Sequence, residues 1–348
     1  MDYLKQFGGK ITDQHKATYS NSKNWDGKQF INLEPTAIEV SFQNLPKLLK
    51  KQLSNRKFKT PTTPIPIIPF NIDEFLEPSQ HLKFIWYGHS VVLLRLNGKT
   101  ILIDPMLGDN ASPIAPITTK RFSDNSIDII DQLPEIDLVL FTHDHYDHLD
   151  YASVVKLKSK VKHYFVALGV DRHLERWGID TAKMTTFDWW QQQQFIDINI
   201  SFTPTRHFSG RGLSDRAKTL WGGWVLQTPT ENIYFSGDGG YGNHFKTIGE
   251  TFKHFDFAFM ECGQYNEHWH KIHMYPEEAV QAAIDVNAKK AMPVHWAGFS
   301  LALHAWTEPI ERFIEAANQQ NLPIIYPKIG KLITAYSNDN NSWWKQYL

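Results

Sequence analysis

Disulfide chemistry is absent from this chain: one cysteine, Cys262, stands among 348 residues, which excludes an intrachain disulfide framework and fits a reducing compartment. A dominant charge is missing as well. The 36 basic and 37 acidic side chains leave a formal net charge of −1, which removes any global argument for binding an extended nucleic acid or another polyanion. No apolar run approaches the roughly 20 residues of a membrane-spanning helix, and Met1–Lys10 lacks the apolar core of a secretory signal. The expectation is a cytoplasmic protein in which any membrane contact is peripheral. The length admits one large α/β domain or two fused halves. The 12 Trp, 22 Phe and 13 Tyr suit a deep aromatic pocket and an ordinary large core equally well.

Histidine, by contrast, is crowded. His143, His145, Asp147 and His148 form a His-x-His-x-Asp-His array directly behind the apolar run Ile136–Phe141, which reads as a buried strand. Neutral imidazole nitrogen and carboxylate oxygen are the donors a zinc-like divalent ion takes, and a loop leaving a strand end can turn near neighbours onto one point.

The rest of the chain divides at about residue 80. Residues 1–80 read as an irregular extension that wraps a core built later. It contains a short basic amphipathic helix between Leu45 and Lys59 and a proline-dense connector, Pro61–Pro69. That helix is either a solvated helix packing on the domain or a surface for lipid headgroups. Residues 81–348 read as the catalytic domain. Strands are expected at 84–87, 91–96, 100–103, 136–142, 163–168, 195–203, 220–226, 232–235, 256–260, 290–294 and 323–326. Asn97-Gly98 marks a hairpin between the second and third. Helices are expected at 151–160, 170–177, 244–254, 276–287 and 307–319. Two strand-rich halves with outer helices suggest a four-layer αββα sandwich, although periodicity does not separate that layout from other α/β arrangements.

Three more candidate ligands, His207, Asp238 and His295, each follow an expected strand end, where sheet proteins gather functional groups. With the array they make seven. The reading places His143, His145 and His207 on a first metal, Asp147, His148 and His295 on a second, and Asp238 between the two. Gly237, Gly239 and Gly240 let the backbone come close to the ions.

Several longer stretches resemble a known family. They are Trp86–Ser90, Leu102–Pro105, Thr142–Leu149, His207–Arg211, Leu220–Trp224, Phe235–Tyr241, Met274–Val280 and His295–Phe299. Together they resemble the metallo-β-lactamase fold superfamily, and within it the branch of N-acyl-phosphatidylethanolamine-hydrolysing phospholipase D and its bacterial relatives. The resemblance runs from about Phe30 to about Tyr326, and the stretch 263–272 departs from its pattern. It implies an αββα fold of the metallo-β-lactamase type, two zinc ions on the ligands just given, and phosphodiester hydrolysis of N-acyl-phosphatidylethanolamine or a related phospholipid. A hydroxide held between the metals is the expected nucleophile, with Asp147 and Asp238 beside it.

Around the ligands, Asp104 and His89 are candidates for hydrogen bonding to them. His273 is a candidate to contact phosphate or protonate the leaving group, set against a buried structural role, and Arg211 to pair with a substrate phosphate, set against a structural salt bridge. His268, His270 and His304 are ambiguous and are not assigned to metal. Two other functions stay open: a hydrolase of a lactone, cyclic phosphate or nucleic-acid phosphodiester on the same site, and an iron-loaded oxidoreductase or metal-dependent binding module.

Overall fold

A computed structural model describes residues 3–36, 58–112, 119–212 and 214–348. The expected basic helix lies outside the described residues, except for Phe58 and Lys59 at its end. Runs of apolar side chains interrupted by turn residues form two sheets. The first is built from β1 (Lys83–Trp86), β2 (Val92–Leu96), β3 (Lys99–Ile103), β4 (Ile136–Phe141), β5 (Val161–Ala167), β6 (Met184–Phe187) and β13 (Leu332–Thr334), in the order β13-β1-β2-β3-β4-β5-β6. The second contains β7 (Gln192–Phe195), β8 (Ile198–Thr203), β9 (Gly223–Gln227), β10 (Asn232–Phe235), β11 (Phe257–Glu261) and β12 (Ala291–Val294), in the order β12-β11-β10-β9-β8-β7.

The sheets pack face to face. Phe84 of β1 meets Phe257 and Phe259 of β11 at ring separations of 5.2 and 5.1 Å, and Phe187 of β6 meets Trp224 of β9 at 5.2 Å. Helices cover the outer faces: Pro276–Asp285 packs on β11, on His244–Phe252 and on Glu308–Gln320, and Asp171–Arg176 packs beside β6. With helices outside both sheets, the architecture is the αββα sandwich. β11 and β12 are buried along their whole length, as parallel strands covered on both faces must be.

Local chemistry explains most boundaries. Asn97 and Gly98 both take positive φ, 46° and 69°, which makes the two-residue turn that the right-handed twist of β2 and β3 requires. Pro276 opens its helix at a position whose N–H has no intrahelical partner, and Glu278 accepts the Tyr275 N–H at 3.0 Å. The strand expected over 195–203 is broken: Ile196 turns at φ 55°, which separates β7 from β8. The strand expected at 323–326 is reduced to single bridges, and Leu332–Thr334 closes the sheet beside β1. No helix of the described residues is long and apolar enough to cross a membrane.

β1, β3 and β4 run the same way in the first sheet, and β8, β10, β11 and β12 do so in the second. Their C-terminal ends therefore open on one edge of the sandwich. Two backbone bonds tie the sheets together there, His89 N–H to Trp296 O at 2.7 Å and His295 N–H to His89 O at 2.9 Å.

Candidate metal centre

Each sequence-derived candidate ligand sits just past one of these strand ends. The array 143–148 leaves β4, His207 follows β8, Asp238 follows β10, and His295 follows β12. His143, His148, His207 and His295 are at most 1% exposed, and Asp238 is 3% exposed. His89, Asp104 and His295 hold φ values of 55°, 42° and 67°, a left-handed conformation that non-glycine residues rarely adopt and that the packing here enforces.

The donor atoms converge in overlapping groups. His143, His145 and His207 place one donor each within 4.8 Å of one another, and so do His89, Asp147, His148 and His295. Asp238 falls between, grouped with His143 and His148. Asp238 Oδ2 lies 3.1 Å from His148 Nε2 and 3.0 Å from His295 Nε2, and Asp147 Oδ2 lies 3.3 Å from His295 Nε2 and 2.9 Å from His89 Nε2.

Tautomers can be assigned by following the protons. The Asp104 carboxylate accepts the Thr142 N–H at 2.8 Å, the Thr142 hydroxyl at 2.6 Å and His148 Nδ1–H at 2.8 Å. Because the Thr142 hydroxyl gives its proton to Asp104, its oxygen accepts from His143 Nδ1–H at 2.9 Å. His207 Nδ1–H donates to Ile272 O at 2.9 Å. The Nε2 atoms of His143 and His207 are therefore bare, whereas His148 Nε2 faces the Asp238 carboxylate at 3.1 Å and carries a proton in the metal-free chain.

The two lone pairs, on His143 and His207, lie 2.9 and 3.2 Å from Nδ1 of His145. One proton cannot satisfy all three nitrogens. A cation can, and imidazole rings oriented through their second nitrogen are how metal-binding histidines are held. This donor set fits divalent metal.

The protonation of the metal-free cluster points the same way. Burial, reinforced by the neighbouring imidazoles, holds the pKa of His143 and His207 well below the usual histidine range. Burial also opposes charge on His148, yet Asp238, Asp147 and Asp104 raise it to about 10. His295 is raised in the same manner, by Asp238 first. Against their own burial, Asp147 and Asp238 are held well below the ordinary carboxylate range by these imidazoles. Two carboxylates thus face two imidazolium rings where metal ions would carry the positive charge.

The remaining candidates divide. His89 touches Asp147 and Asp104 touches His148, both candidate ligands. His273 stacks on His295 at 5.2 Å, and its Nδ1 is held by Glu261 Oε1 at 2.7 Å. Arg211 is buried at 3% exposure, its guanidinium donates to the backbone carbonyls of Gln6, Asp144 and Leu149, and among the described residues no carboxylate lies in salt-bridge contact with it. His304 accepts from the Gln264 N–H and donates to Ala305 O, His268 lies 3.7 Å from Glu267, and His270 stacks on Tyr275; none joins a ligand group.

Three contributors escaped the sequence reading. Thr142 relays Asp104 to His143, and Gln264 braces the loop after His295 through Phe299 O and the Leu301 N–H. Glu261 carried a visible signal: it is a carboxylate at the end of the otherwise apolar strand Phe257–Glu261.

A cavity of about 390 Å³ opens over the cluster. His145, Asp147, Asp238, His273 and His295 form its polar side, and Phe208, Trp269, Ile272 and Leu301 supply apolar wall.

The chain is similar to known proteins in sequence and in fold. A family model described as a beta-lactamase superfamily domain matches residues 99–296. An uncharacterised protein of Mycobacterium tuberculosis is 35% identical over 336 residues, covering 95% of this chain and 89% of that one. N-acyl-phosphatidylethanolamine-hydrolysing phospholipase D 1 of Caenorhabditis elegans is 31% identical over 323 residues, covering 88% and 86% respectively. A metallo hydrolase from the archaeon Ignicoccus hospitalis shares the fold, with a TM-score of 0.56 at 19% identity over 73% of this chain and 98% of that one.

Proposed function

Since the chain belongs to the metallo-β-lactamase fold superfamily and is a metal-dependent hydrolase with phospholipase D-like relatives, we propose that it is a dinuclear zinc phosphodiesterase acting on N-acyl-phosphatidylethanolamine or a related phospholipid. His143, His145 and His207 would hold one ion and Asp147, His148 and His295 the other, with Asp238 placed to serve both. Three imidazoles without a glutamate at the first position favour zinc over a di-iron redox pair.

When bound, two such ions lower the pKa of a coordinated water and neutralise charge growing on the phosphoryl oxygens. The protein supplies the rest. Asp147 meets His89, His148 and His295 through Oδ2, which leaves Oδ1 to orient the attacking water and take its proton. His273, held at Nδ1 by Glu261, offers Nε2 to the cavity and passes a proton to the leaving oxygen. The apolar wall of Phe208, Trp269, Ile272 and Leu301 accepts the hydrocarbon part of the substrate and excludes water beside the reacting phosphorus. Phospholipid on the cavity also entails peripheral contact with a membrane surface.

The observation that carries this reading is the junction of a ligand cluster with an apolar cavity wall in one opening. Metal analysis of the purified protein, paired with hydrolysis of a phosphodiester, a lactone and a cyclic phosphate, tests it. About two zinc ions per chain and preferential phosphodiester hydrolysis support it; redox-active iron, or turnover of the lactone alone, overturns it.

A further inference from the structure

The segment Asn32–Thr36 stands far from every ligand in sequence, yet it lies against two ligand loops. Its side chains alternate: Asn32, Glu34 and Thr36 are half-buried, while Ile31, Leu33 and Pro35 are exposed. Asn32 engages both backbone groups of His207. Its Nδ2 donates to His207 O at 2.7 Å and its Oδ1 accepts the His207 N–H at 3.0 Å, with Trp221 Nε1 donating to the same oxygen at 3.3 Å.

The next residues continue the attachment. Thr36 Oγ1 and Pro35 O accept from the Arg206 guanidinium at 3.0 and 2.6 Å, and a third nitrogen of that group donates to Tyr241 O at 3.1 Å. Glu34 accepts the Asn243 N–H at 2.8 Å. The strip therefore joins the loop that carries His207 to the loop that carries Asp238. His207 is held at three points: its backbone N–H and C=O by Asn32, and ring Nδ1 by Ile272 O. Only Nε2 is left as a donor.

We propose that Asn32 is a positioning residue for His207, setting the backbone so that Nε2 meets the donors of His143 and His145 and the ion of that group is retained. The inference rests on the dinuclear reading. Catalytic geometries must be held to about 0.5 Å by the surrounding shell, and two hydrogen bonds to a single residue supply such a hold at a ligand that otherwise sits on a loop.

Asn32→Ala, His207→Ala and Glu34→Ala, stripped with chelator and titrated with Co²⁺ and Zn²⁺, test it. Asn32→Ala should weaken one of two ions by about 10–100-fold, as loss of an outer partner does, and it should be the ion that His207→Ala loses. The other ion and the far-UV circular dichroism stay as in wild type. Glu34→Ala, which releases Asn243 but not His207, keeps both affinities. Asn32→Asp is nearly isosteric and replaces the donor facing His207 O by an acceptor, so it should show the same selective loss even where the alanine variant folds poorly. Wild-type affinity for both ions in a folded Asn32 variant overturns the proposal. If wild type takes up a single ion and Asn32→Asp weakens it, the dinuclear reading fails and the role of Asn32 stands; if wild type takes up none, both fail.

Discussion

The carboxylate of Asp104 lies 2.8 Å from Nδ1 of His148, and that contact turns Nε2 of the ring towards Asp238. Through Thr142 the same carboxylate settles His143. Asp104→Asn is a clean probe, because asparagine tolerates the left-handed backbone at φ 42°. An amide offers one acceptor where the carboxylate offers two, so at least one of its three donors loses its partner. Metal affinity, measured by chelator competition, should fall about 10–100-fold, and stability by about 1–3 kcal/mol.

Asp147→Asn and His295→Ala remove donors from the second group. Each should abolish hydrolysis of a phosphodiester substrate while circular dichroism stays close to wild type, since neither residue belongs to the apolar core between the sheets. Full turnover by either variant would refute its assignment as a ligand.

Glu261→Gln should act on turnover more than on binding. The buried carboxylate holds His273 Nδ1 at 2.7 Å and the Met274 N–H at 3.2 Å, whereas His295 Nδ1 is 3.5 Å away. Loss of a well-oriented proton donor costs about 10²–10⁴-fold in rate. We expect kcat to drop towards the lower end of that range with KM and metal content little changed; a rise in KM alone would assign Glu261 to substrate binding instead.

Stability of the metal-stripped protein should depend on pH in a defined direction. Against its burial, His148 is raised by Asp238, Asp147 and Asp104 from 6.5 to about 10, so the folded chain keeps a proton that the unfolded chain releases. That contribution is complete below about pH 6.5 and fades as pH climbs through about 10. Asp147 and Asp238, lowered from 3.8, contribute above that value and lose it as pH falls. Calorimetry on stripped protein should show Tm declining from pH 6.5 towards 10, with a smaller decline after zinc is restored. Metal uptake should release protons and tighten as pH rises. A flat alkaline profile for the stripped protein would contradict this cluster electrostatics.

Local pattern made much of this legible. The run Ile136–Phe141 and the array behind it stand side by side in sequence, and Asn97-Gly98 specifies its own turn. Asp238 and His295 could be found because each follows a recognisable strand. What stayed hidden depends on tertiary distance: Asn32 meets His207 across 175 positions, and nothing near Asn32 announces that partner. Arg211 misled for a related reason, since a guanidinium four residues after a ligand looks available until its backbone acceptors are known. β6 and β7 were missed because Met184–Phe187 and Gln192–Phe195 are polar or only partly buried and lack the apolar alternation that marks a strand.

In the proposed reaction, water attacks the phosphorus of a phospholipid at this centre. Zinc-loaded protein incubated with N-acyl-phosphatidylethanolamine in ¹⁸O-labelled water, followed by mass spectrometry of both products, tests it most directly. Zinc-dependent release of N-acylethanolamine is expected, with the label in the phosphatidic acid. Label in a released fatty acid, or no cleavage of the phosphodiester by fully loaded protein, would contradict it.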